Sequence, residues 1–148
     1  MNQPFDFSTM DLAAASEVPF EFELTNPNTK NGLGVFVSVI GSEGVTFQAY
    51  LRSEANEARK RNFAKARKGG NDAPVTVEEE EDAMLRALVV CMKGWRTVRG
   101  DVSKPVIYIA GKELEFTPDN ALAWLRQFKW VRAQVNDTTG ELANFIKD

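Results

Sequence analysis

IYIAGKELEFTPDNALAWLRQF, residues 107–128, changes its hydrophobic period partway along, and that change decides the fold. Val106–Ile109 and Glu113–Phe116 read as two short strands around Ala110-Gly111-Lys112, a hairpin pattern. From Thr117-Pro118 the pattern becomes helical. Threonine suits the N-cap and proline the first helical position, and Ala121, Leu122, Trp124, Leu125 and Phe128 recur at helical spacing. A hairpin running straight into an amphipathic helix places the chain in the α+β class.

Downstream, a last helix is predicted from about Trp130, with Val131 and Val135 on one face. Thr138-Thr139-Gly140 reads as a break before Leu142, Phe145 and Ile146. Upstream, Thr76-Val77-Glu78-Glu79 is a capping box, and the acidic run to Asp82 suits the positive end of a helix. Met84, Leu85, Leu88, Val89, Met92 and Trp95 recur every three or four residues, which predicts that this helix continues to Trp95.

The first half predicts a half-buried strand over Val18–Leu24, a turn around Asn26-Pro27-Asn28 and a second strand over Val35–Ile40. Together they form an antiparallel hairpin. A helix follows from about Glu43 to Arg67, docking on that hairpin through Val45, Phe47, Tyr50 and Leu51. Its distal half, from Arg52 to Lys68, accumulates seven cations and projects into solvent. Residues 1–16 are a loosely held lead-in, residues 17–148 one α+β domain, and GGNDAP within 68–75 a mobile connector between the two longer helices.

Composition narrows the function classes. The 148 residues carry a net charge of −3, which argues against a chain whose whole surface tracks nucleic acid. Histidine is absent and Cys91 is the single cysteine, so the commonest general base and the usual zinc ligand sets are missing. Cys91 lies in an apolar run and reads as a small buried hydrophobe. No apolar run approaches a membrane span and the N-terminus does not read as a secretory signal, so a cytoplasmic protein is expected. No motif points to a cofactor, a metal or a catalytic residue.

Two candidate surfaces remain. Trp124, Phe128 and Trp130 could line a groove for a partner, although tryptophans are more often core residues. Arg59 and Arg61, in the basic helix, could meet phosphates or a protein; the alternative is charge balance with the acidic run Glu78–Asp82 across the connector.

Trp95, Leu114, Phe116, Thr117, Asn120, Leu122, Leu125, Gln134, Val135, Asn144 and Phe145 follow one another in an order that resembles the tail assembly chaperones of long-tailed bacteriophages. The likeness covers about the last 55 residues, and the insert at 98–105 departs from it. The resemblance implies a non-enzymatic protein that coats the tape measure protein, helps recruit tail tube protein, and is absent from the mature virion. It further implies action in the host cytoplasm, a longer frameshift form of the chain, and self-association. The competing readings are a nucleic-acid-binding regulator using Arg52–Lys68 and a small structural tail protein.

Overall fold

The computed structural model describes residues 3–67 and 76–146. The connector read at 68–75 lies outside the described residues. The fold is α+β. The elements run α1 (Leu12–Ser16), β1 (Phe20–Thr25), β2 (Gly32–Val39), α2 (Val45–Arg67), α3 (Val77–Cys91), β3 (Met92–Arg99), β4 (Val102–Lys104), β5 (Val106–Ile109), β6 (Lys112–Glu115), α4 (Pro118–Gln127) and α5 (Lys129–Gly140), with 3-10 turns at Phe7–Met10 and Leu142–Asn144. Four strands form an antiparallel sheet in the order β1-β2-β3-β4, and β5-β6 is a separate hairpin. The long helices α2 and α3 are thus an excursion between two adjacent strands.

The pleat sorts the sheet's residues. Phe22, Val37 and Trp95 form one cross-strand row on the inner face; Glu21, Ser38 and Gly94 form the neighbouring row on the other. The inner face joins Leu85 and Leu88 of α3, Ala121, Trp124 and Leu125 of α4, and Val131 and Val135 of α5 in one buried cluster. On the outer face Arg96 forks onto the Glu21 carboxylate at 2.6 and 2.8 Å and lies 4.5 Å over the Phe36 ring.

The helix read as reaching Trp95 stops at Cys91, and Met92–Arg99 is the third strand of the sheet. Val39 pairs with Met92 but Ser38 with Gly94, so Lys93 is an extra residue, a β-bulge. In a regular strand, residues three apart face opposite sides. The bulge turns Met92 and Trp95 to the same side, which reproduces helical spacing without a helix. The stretch read as an insert is likewise structured: Arg99 pairs with Val102 around Gly100-Asp101, with Gly100 at φ +57°, and the chain returns as β4.

Three further expectations are corrected. The start of α2 does not dock on the β1–β2 hairpin through Val45 and Leu51, which are 61% and 41% exposed. Instead the Glu17 carboxylate accepts from the Thr46 backbone N–H at 2.7 Å and from its hydroxyl at 2.8 Å, capping α2 from 29 residues upstream. Second, the boundary read at residue 16 falls inside packed structure. Asp11 caps α1, Ser16 is fully buried, and its carbonyl accepts from Gly41 N at 2.8 Å. The last predicted break is also displaced, since α5 runs through Thr138 and Thr139 to Gly140.

The Glu17 cap has a consequence that can be measured. The Thr46 amide first and its hydroxyl second hold the Glu17 carboxyl below its ordinary 4.5. A depressed carboxylate contributes stability that is present above that value and lost as pH falls through the lowered one. Glu17→Ala is expected to cost about 1 kcal/mol at neutral pH, as for loss of a helix cap. Thermal unfolding of both chains should show that difference closing as the pH is lowered below 4.5.

Candidate apolar groove at the α4–α5 elbow

The β5–β6 hairpin turns through Ala110 and Gly111, at φ +52° and +78°. Both central residues are left-handed, as a two-residue type I′ turn requires. Thr117 Oγ1 then accepts from Asn120 N at 3.1 Å, and the Asn120 side-chain amide donates to Glu115 O at 2.9 Å. Hairpin and α4 are therefore held at a fixed angle by bonds spanning only three and five residues.

At the other end of α4 the chain bends at Phe128 into α5, and Arg132 fastens the bend. Its guanidinium donates to Leu125 O at 3.1 Å and Arg126 O at 3.3 Å, and pairs with Glu81 of α3 at 2.6 Å. A cation is well placed here because the last carbonyls of α4 have no helical partner.

The elbow completes an open apolar groove of about 200 Å³. Its floor is Leu24, Ile107, Trp124 and Val131, all buried. Phe128 and Trp130, both part-buried, form one side. Leu33 of β2 and Tyr108 of β5 stand at the rim, 43% and 46% exposed. The three aromatic residues singled out in the sequence are thus brought together, in unequal roles. Trp124 is 6% exposed and packs at 5.0 Å against Trp95, so it is core that underlies the groove. Phe128 and Trp130 are the part that a partner could touch. Leu33, Val35 and Tyr108 were not found from sequence, since they come from two other elements and nothing local marks them.

Arg59 and Arg61 lie elsewhere. Both are exposed on α2, and neither makes an ion pair among the described residues. Arg61 shares a separate cleft between α2 and α3 with Glu78 and Glu79. Glu81 and Asp82 line the same cleft, but their ion pairs go to other partners. Asp82 pairs with Arg86 at 3.1 Å and with Arg126, and Glu81 with Arg132. These arginine bonds hold both carboxyls below their ordinary values. Among the described residues no ion pair joins the basic helix to the acidic run. Cys91 is buried and burial pushes its thiol up to about 11, so it is not a nucleophile at neutral pH.

The residues that carry the family resemblance hold the fold together. Trp95 Nε1 donates to Leu114 O at 3.0 Å, joining the sheet to the hairpin. Gln134 Oε1 accepts from Thr25 N at 3.0 Å while its Nε2 donates to Thr25 O at 2.8 Å, so one side-chain amide mimics a neighbouring strand at the edge of β1. Asn144 donates to Thr138 O at 3.0 Å and Phe145 is buried. Gln134→Leu is expected to destabilise the protein by about 1–3 kcal/mol, because it leaves the Thr25 N–H and C=O part-buried without partners. Urea unfolding would measure it; a midpoint equal to that of the parent would mean that water replaces the amide.

Compared with protein-family models, curated proteins and solved structures, the chain matches none. Among the described residues no group of histidine, cysteine or acidic side chains could hold a metal ion, and no helix is long and apolar enough to cross a membrane.

Proposed function

We propose that this chain is a tail assembly chaperone of a long-tailed bacteriophage, with the α4–α5 groove as its client-binding surface. The groove is the observation that carries the reading. The stretch that resembles the family contributes Phe128 and Trp130 to an open apolar slot, and Leu33 and Tyr108 extend it at the rim. A holdase needs such a surface, able to take the apolar face of a helix and release it. The client is the tape measure protein, a long helical chain along which many copies could bind, so modest affinity per copy would suffice through avidity.

In this reading the protein is not an enzyme, recruits tail tube protein to the coated client, acts in the host cytoplasm and is left out of the finished virion. A longer frameshift form and self-association into a coat belong to the same proposal. Co-expression with a tape measure protein tests it: the client should move into the soluble fraction and co-purify with this chain. A client equally insoluble with and without the chain would defeat the reading. Finding the chain in stoichiometric amounts in purified particles would favour a structural tail protein instead.

A further inference from the structure

We propose that Asn31 is a site of spontaneous covalent modification, losing its side-chain amide through a succinimide to leave aspartate and isoaspartate at the β1–β2 turn. Asn31-Gly32 is the only Asn-Gly pair in the sequence. The reaction needs an exposed asparagine amide and a following backbone nitrogen that is unshielded and held by no other bond. Asn31 and Gly32 are both exposed, and Gly32 has no Cβ; the Glu23 carboxylate lies where one would sit and leaves the nitrogen itself unbonded.

The third condition comes from the sheet. Thr25 and Gly32 are partners in the β1–β2 register, yet both main-chain groups of Thr25 are taken by the Gln134 amide. They point away from β2, so Thr25–Gly32 is a pair without ladder hydrogen bonds. The next pair outward bears this out, with Asn26 N donating to Asn31 O at 2.8 Å. The Gly32 N–H therefore faces the side on which β3 would lie, and β3 begins pairing with β2 only at Val35. The edge pairing made by Gln134 and the late start of β3 together leave this nitrogen outside the ladder.

The step balances with water alone. The Gly32 nitrogen gives its proton to solvent and bonds to Cγ of Asn31. The Cγ–N bond of the side-chain amide breaks and the nitrogen leaves as ammonia, closing a five-membered imide. Water then opens the ring at one of its two carbonyls. One opening yields aspartate; the other yields isoaspartate, in which the former side-chain methylene lies in the main chain. That extra atom and a new negative charge fall two residues before Leu33, at the rim of the apolar groove.

The full chain, folded and separately unfolded in urea, is incubated in mildly alkaline buffer and digested with trypsin. In the fragment Asn31–Arg52, Asn31 is the only asparagine. That fragment should gain the mass difference between an amide and an acid, with isoaspartate present, at a rate in the folded chain within about tenfold of that in the unfolded chain, because only the single Asn26 N–Asn31 O bond has to open for the ring to close. Asn31→Gln should abolish the change at this position. A folded chain that reacts more slowly than that overturns the proposal, since Gly32 would then be locked and reactive only through wider opening. So does a fragment left unmodified in both states.

Discussion

Trp95→Ala is expected to cost about 3–5 kcal/mol, the range for removing a large aromatic side chain from a packed core. That is a large share of the 5–15 kcal/mol or so that holds a typical domain folded. Trp95 is 4% exposed and sits at the meeting of three elements. Its ring meets Phe116 and Trp124 edge-on, both at 5.0 Å, and stands in the inner row with Phe22 and Val37. Its indole N–H is the bond from the sheet to Leu114 of the β5–β6 hairpin. Trp95→Phe separates the contributions, keeping most of the apolar volume and losing the hydrogen bond, so it should cost clearly less than alanine. Urea unfolding of the three chains measures this. An alanine variant within about 1 kcal/mol of the parent would contradict the packing described, because that is the cost of an ordinary surface-to-intermediate change.

Trp130→Glu is expected to remove client binding while leaving the fold in place. Each well-seated aromatic anchor contributes about 2 kcal/mol, which is about thirtyfold in affinity, and a buried charge in its place adds a desolvation cost. Leu33→Glu tests the same surface from a distant part of the chain. Leu33 is 43% exposed on β2, so a charge there meets water in the free protein. Both variants should keep the parent's circular dichroism; Leu33→Glu should also keep its unfolding midpoint, whereas Trp130→Glu lowers it because Trp130 packs against the core, and both should leave the tape measure protein insoluble on co-expression. Charge reversal at Arg59 and Arg61 should leave client solubility intact, since neither lines the groove. If the groove variants solubilise the client as well as the parent does, the groove is not the binding surface. Should only the arginine variants fail, the basic helix takes its place.

The parts of this fold that were legible in the sequence are those whose hydrogen bonds close over a few residues. Thr76 accepts from Glu79 N and Thr117 from Asn120 N, as the capping patterns required. The β5–β6 hairpin and the helix after it lie where the change of period placed them. Met92 and Trp95 misled for a definite reason. A bulge at Lys93 makes two strand residues three apart face the same way, and spacing alone cannot distinguish that from a turn of helix. The cap of α2 was equally invisible, because the carboxylate that makes it belongs to Glu17, far back in the chain.

The sequence by itself determined the α+β class, the second hairpin, the caps of α3 and α4, and the buried character of Cys91, since each rests on propensities and contacts within one or two turns of chain. Only the tertiary structure decided that Met92–Arg99 joins the sheet, that Gln134 pairs with the edge of β1, and that Leu33 and Tyr108 meet Phe128 and Trp130 around a single groove. Those contacts bring together residues 20 to more than 100 positions apart. No local preference encodes them; they follow from burying one shared apolar face, and the choice of partners is made by the whole core at once.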